Sequence, residues 1–269
     1  MNWPAYIGRA AIVAAALAVS GCEIPDILPP QESTPAARGI DGAIPSGGQR
    51  IGLFAGDAGD TDPPEAAALA ADFQSLAFGG AQMLQRWKGP VHISFFFGVS
   101  MTTDRRAADK DYVAALAVGL EHFTGHPIKL SQADPSIRVF VMDAAELRSA
   151  STAALAAVTG QGGQFCTIST AAGEFGKGLL EVDVYIRSDI PGAERHACYQ
   201  EMIARALGLH HSRAMHLPSL FSDDGTIESL TRNDYILLRM LYDPRLRPGM
   251  TRAGARPVIS LLAEELGRP

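Results

Sequence analysis

The stretch EMIARALGLHHS, residues 201–212, decides how the rest of the chain is read. It closes a longer run of helix formers, IPGAERHACYQEMIARALGL (190–209), that ends at Gly208. Glu201 and Arg205 stand four residues apart, so they share one helical face and can pair. Past the glycine come two adjacent histidines, His210 and His211. Two readings follow. One is an ordinary helix end, where a cation is favoured, with a surface ion pair worth roughly a few tenths of a kcal/mol. The other is the remains of a chemical site.

Strands and helices interleave on both sides of this stretch. PPEAAALAADFQSLAFG (63–79) opens with prolines and continues as a helix. VHISFFFG (91–98) reads as a strand ended by Gly98. DRRAADKDYVAALAVGLEHFTG (104–125) is an amphipathic helix, with Tyr112, Leu116, Leu120 and Phe123 at spacings of three or four. PIKLSQ is a short strand, and SIRVFVMD (136–143) a central one, alternating and then fully apolar. DAAELRSASTAALAAV is helical, GQGGQFCTIST brings another strand, and GLLEVDVYIRSD (178–189) one more, with Val182, Val184 and Ile186 on one face. LTRNDYILLRMLYD (230–243) follows the decisive stretch, and PVISLLAEEL (257–266) is a short tail helix. The expected class is α+β, with an α/β-like sandwich around one sheet.

The chain has 269 residues, a net charge of −6 and 47% hydrophobic residues, which suits one globular domain with accessory segments. No basic patch or run is present for nucleic acid. No G-x-S-x-G elbow, P-loop or dinucleotide fingerprint occurs, and GQGGQ (160–164) reads as a turn.

Anchored on Gly208, the decisive stretch resembles the zinc-binding helix of matrixin-type metalloproteases, H-E-x-G-H-A-L-G-L-x-H-S. Ala206, Leu207, Gly208, Leu209, His211 and Ser212 agree with that pattern. In the family, two histidines one turn apart and a third beyond the glycine bind zinc, and a glutamate activates water. Here Glu201 stands at the first ligand position, Met202 at the general base and Arg205 at the second ligand; only His211 is retained. Downstream, Thr231, Asp234, Leu241 and Tyr242 are in step with the matrixin closing helix. PSLFSDD (218–224) lies where those enzymes place a methionine turn, with Leu220 or Phe221 in the methionine's place. Upstream, RWKGPVHISF, the long helix and PIKLSQADPSIRVFVM mirror the family's opening strand, helix and paired strands. The resemblance covers residues 85–243. It implies a metzincin-like (zincin-like) domain over 51–250, with a mixed, mostly parallel sheet and an edge strand, packed by the long helix and the motif helix. Residues 251–269 form the C-terminal tail.

The chain is also similar to an uncharacterised family of proteobacterial exported proteins and lipoproteins that end in a segment like LLRMLYDPRLRPGM (237–250). That resemblance implies no assigned activity.

Peptide hydrolysis is not expected from these residues. An arginine offers no lone pair to a metal, and Met202 moves no proton. The expected protein is a non-catalytic binding or assembly module, a pseudo-peptidase without a cofactor. An extended peptide or envelope protein would be gripped at the edge strand of its cleft. The alternative is a divergent zinc metallopeptidase using Glu201, His211 and a third ligand such as His210 or His216. A different site, built from His196 and His216 with His210 or His211, is a further alternative. A structural protein with an inert cleft is the third reading.

The N-terminus, with Arg9 before AAIVAAALAVSGC, has the layout of a signal peptide (1–21), and LAVSGC resembles a bacterial lipobox. Cys22 is then the lipidation site, and the membrane is a partner through that anchor. An ordinary signal peptide with a chance cysteine is the alternative. Residues 22–50, rich in Pro and Gly, read as a tether. The expected place is the cell envelope, facing the periplasm. Glu23, rather than Asp, points to the outer membrane over the inner. Cys166 and Cys198 remain as a pair in an oxidising compartment, so a disulfide closing a loop of about 32 residues is expected, against the alternative of two buried thiols.

Overall fold

The computed structural model describes residues 63–79, 81–150, 165–172, 178–210, 215–222 and 227–268. All of them belong to one compact unit, residues 44–269. The elements in chain order are α1 (Ala66–Phe78), β1 (Val91–Phe97), α2 (Thr103–Thr124), β2 (Ile128–Leu130), β3 (Ile137–Met142), α3 (Ala144–Ala150), β4 (Cys166–Ala172), β5 (Leu179–Arg187), α4 (Gly192–Ala206), α5 (Arg232–Tyr242) and α6 (Arg252–Leu266).

The five strands form one mixed sheet in the order β2-β1-β3-β5-β4. β1, β2, β3 and β5 run parallel, and β4 pairs antiparallel with β5 at the edge. This is an α+β fold with a mostly parallel sheet. One face is closed under α2 and α4. Val91, Ile93, Phe95, Ile137, Val139, Val141, Val182, Val184 and Ile186 all point there and are buried. They sit at every second position, as the pleat requires. α2 meets them with Tyr112, Val113, Leu116 and Leu120. Phe123, expected on the same stripe, is only half-buried and packs instead on Tyr235 of α5 (ring centroids 4.3 Å apart).

β3 differs from expectation. Its apolar second half is not buried on both faces: burial alternates to the end of the strand. Phe140 and Met142 point to the opposite face, where Phe96, Phe140 and Tyr185 stack across three neighbouring strands at centroid distances of 4.9 and 5.2 Å. Leu147 of α3 packs on this group. Aromatic side chains that stack on one another and pack against α3 account for the apolar run.

The C-terminal helix also differs. It starts at Arg252, five residues before Pro257, because the Thr251 hydroxyl accepts a hydrogen bond from Gly254 N–H and caps it (3.2 Å). α6 packs along α1. The start of α1 and the end of α6 are joined by bonds from Ala66 N–H to Arg268 O (2.9 Å) and from Arg268 N–H to Pro64 O (2.8 Å). The helix expected over 143–158 is described as far as Ala150; residues 151–164 lie outside the described residues, as do 1–62 with Cys22.

Candidate functional site

α4 carries the decisive stretch. Its Tyr199, Met202 and Ala206 face the core, and Tyr199 meets Phe95 of the sheet edge-on, ring centroids 5.9 Å apart. Gln200 and His196 turn towards α2. The Gln200 amide donates to Tyr112 OH (2.6 Å), and His196 stacks on the Tyr112 ring at 3.8 Å. Cys198, Glu201 and Arg205, at spacings of three and four, share the remaining flank. That flank faces β4, because Cys198 forms a disulfide with Cys166 (Cα–Cα 5.9 Å). The thiol pair expected to bridge does so, and the bridge pins the motif helix to the edge strand.

Glu201 and Arg205 form the expected pair, Nη1 donating to Oε1 at 3.4 Å, with side chains only 18% and 19% exposed. Arg205 Nη1 also lies 3.9 Å from Met202 Sδ. Met202, at the motif's general-base position, is itself buried in the core.

Gly208 ends the helix, for a reason the motif does not contain. Its φ is +123°, and a Cβ would overlap the carbonyl oxygen of Gln85 and stand 3.2 Å from its carbon. Residues 83–87 run past the helix end as a strap. Leu84 exchanges backbone bonds with Gly249 and Met250, Leu84 N–H donating to Met250 O (2.8 Å) and Gly249 N–H to Leu84 O (2.9 Å). Arg86 O accepts from Leu179 N–H (3.2 Å). Two side chains satisfy the last helical carbonyls: Trp87 Nε1–H donates to Ala206 O (2.8 Å) and Tyr242 OH to Leu207 O (2.9 Å).

Beyond the glycine, His210 N–H donates to Leu76 O of α1 (2.9 Å). Its Nε2 is buried, with no hydrogen-bond partner among the described residues. Burial, and then the neighbouring Arg205 charge, hold its pKa below the usual histidine value. His211 lies outside the described residues. His216 is committed elsewhere. Asp72, fully buried on α1, accepts from His216 N–H (2.9 Å) and Leu217 N–H (2.9 Å), and from the His216 ring at Nδ1 (2.7 Å). A carboxylate taking that many donors fixes the loop. The next loop residues are held by Asp234, in step with the closing helix. It accepts from Leu220 N–H (3.0 Å), Thr231 N–H (2.8 Å) and the Ser219 hydroxyl, and makes a capping box with Thr231. Leu220 and Phe221, in the methionine-turn place, are buried.

Sequence reading missed a charged cluster between α2 and α4. Asp109 is buried and accepts from Arg195 Nε and Nη2 (both 3.1 Å) and from Tyr199 OH (2.9 Å). Burial and the adjacent carboxylate push the Tyr199 pKa far up, so its phenol stays a donor. Asp109 and Arg195 are 86 residues apart in the chain, and no local spacing connects them.

Among the described residues no three His, Cys, Asp or Glu side chains converge where a metal ion could be held. A fixed guanidinium stands at the second ligand position, and a core methionine at the base. β4 is the antiparallel edge strand of the sheet, and the flank of α4 bearing Glu201 and Arg205 lies on its side of the helix. Arg187 N–H donates to Phe165 O (3.0 Å), so the pairs 165/187, 167/185 and 169/183 carry the β4–β5 bonds. The N–H and C=O groups of Cys166, Ile168 and Thr170 therefore point away from β5, along the edge.

A family match spans residues 66–260, from the first residue of α1 into α6. The chain belongs to the family described as Protein of unknown function (DUF2927). The match includes the whole of α1 and the first part of α6. No curated protein matches the chain.

Proposed function

We propose that this member of the family is a lipid-anchored protein of the bacterial envelope. It faces the periplasm, on the outer membrane rather than the inner. Its metzincin-like frame serves as a non-catalytic binding module that takes an extended protein segment at the edge of its sheet. The observation that carries this reading is β4 at the edge of the sheet, where the N–H and C=O groups of Ile168 and Thr170 point away from β5 and, among the described residues, no further strand pairs with them. Main-chain bonds to such an edge give affinity without any metal. The metzincin-like assignment is supported by order. An opening strand, a long helix, two strands that flank the opening one, an antiparallel edge strand with its neighbour β5, the motif helix and the closing helix follow one another. The envelope assignment is supported by the lipobox-like LAVSGC and the disulfide, since such bridges persist in oxidising compartments.

Metal content and strand uptake test the reading together. The full chain is purified without chelator or histidine tag, assayed for zinc, and titrated against a library of unstructured peptides. Peptide binding that needs no zinc and is lost in Ile168→Pro is expected. One equivalent of zinc, lost in His211→Ala, would sink the binding-only reading in favour of a divergent metallopeptidase.

A further inference from the structure

We propose that the start of α6 and the turn before it form a membrane-docking face, with Arg247, Arg252 and Arg256 set against the phosphates of anionic phospholipid headgroups. The proposal rests on the lipid-anchor reading, which keeps the domain beside a bilayer, and names the surface that the domain turns towards it.

Residues 244–263 hold four arginines and no Asp or Glu. The chain's net charge of −6 is thus +4 here and −10 elsewhere. Spaced two to five residues apart, the arginines make no run in the sequence; the fold gathers them. Met250 N–H donates to Arg247 O (3.1 Å), closing a turn that delivers the chain to the Thr251 cap. Arg252 and Arg256 then stand one turn apart on α6. Arg245 is neutralised by Asp243 (2.8 Å) and Glu265 (2.7 Å). The other three are exposed, and among the described residues none of them has a carboxylate in ion-pairing range. Arg252 is held without being neutralised: its guanidinium lies over the Phe78 ring at 5.4 Å and donates to Phe78 O (3.4 Å). Guanidinium groups present paired donors to phosphate oxygens.

The apolar neighbours select a bilayer over a soluble polyanion. Pro257 and Leu261, again one turn apart, are exposed on the adjoining stripe of α6, Leu261 at 46%. Arginines beside an exposed apolar stripe suit a membrane interface, where phosphate and hydrocarbon lie at neighbouring depths. A polyanion in water offers Leu261 nothing. The acids of α6, Glu264 and Glu265, fall in its last turn, two turns beyond Arg256.

Arginine labelling by phenylglyoxal, read residue by residue in a mass spectrometer, tests this on the full chain bound to vesicles. Vesicles of phosphatidylcholine are compared with vesicles of phosphatidylcholine and phosphatidylglycerol in equal parts. Each arginine at an anionic surface strengthens docking about fivefold. Arg247, Arg252 and Arg256 should therefore label at least about fivefold more slowly on the anionic vesicles. Exposed Arg148 of α3 should label alike on both. Molar sodium chloride should abolish the difference. In the double variant Arg247→Glu with Arg256→Glu, the protection of Arg252 should disappear at an unchanged melting temperature. Equal labelling on both vesicles, protection that Arg148 shares, or protection of Arg252 that survives the double variant overturns the proposal. The mass of the Cys22 peptide separates the two readings. A lipidated chain whose three arginines label alike keeps the anchor and ends the docking face. An unlipidated chain still protected on anionic vesicles keeps the docking face and ends the anchor.

Discussion

Replacing Gly208 with alanine isolates what the motif glycine does. Its φ of +123° lies where side-chain-bearing residues are strained, at about 1–3 kcal/mol. The added methyl also overlaps the Gln85 carbonyl oxygen. That carbonyl cannot swing aside freely. The strap around it is fixed by the Leu84–Met250 and Leu84–Gly249 bonds on one side and by Trp87 on the carbonyl of Ala206 on the other. Forced overpacking against such backbone costs about 1–3 kcal/mol more. The sum is a loss of about 4 kcal/mol from a total stability of roughly 5–15 kcal/mol. Gly89→Ala is the control: its φ is not positive and nothing lies within 4 Å of a new Cβ. Urea unfolding followed by tryptophan fluorescence should show a large drop in midpoint for Gly208→Ala and a change within about 0.5 kcal/mol for Gly89→Ala. The drop should be the same with and without chelator, because strap packing and not metal geometry is at stake. A Gly208→Ala loss below about 1 kcal/mol would refute the close approach of strap and helix end.

Asp109→Asn should cost about 3–5 kcal/mol in urea unfolding, because it leaves the Arg195 charge buried beside a neutral group; converting both residues to leucine should recover most of it. Cys166→Ser with Cys198→Ser should cost about 3–4 kcal/mol by the chain-entropy relation for a 32-residue separation, read as a lower melting temperature. Stability should fall as pH drops below about 6.5. Burial is the leading cause that lowers the pKa values of His126, His196 and His210, so the native state binds fewer protons there than the unfolded chain. Their contribution is present above the unfolded value and is lost as pH falls towards the depressed ones. His210→Gln should flatten that slope in thermal melts at pH 7 and pH 5.

What the sequence revealed and what it hid divide by range. α2 was legible because Tyr112, Leu116 and Leu120 repeat at helical spacing, and the Glu201–Arg205 pair because its residues are one turn apart. The same logic misread the end of β3, since periodicity does not tell a half-buried phenylalanine stacked on aromatic neighbours from one fully buried between two layers. Asp109 with Arg195, and Asp72 with His216, join residues 86 and 144 positions apart, and no local pattern records such meetings. The strap at 83–87 has no periodicity at all; it is held by backbone groups whose partners come from elsewhere in the chain. The motif pattern accounts for a glycine at 208 only by family resemblance, while the residue it must avoid, Gln85, lies far upstream.

The bonds joining Pro64 and Ala66 to Arg268 make the domain nearly a closed ring. A pull applied to the chain before residue 63 therefore enters at the junction of α1 and α6, and loads two packed helices in shear before it reaches any strand. Both ends also leave from one point on the surface. A short linker between them, with new termini opened at an exposed turn, should give a circular permutant that keeps the sheet and its edge intact.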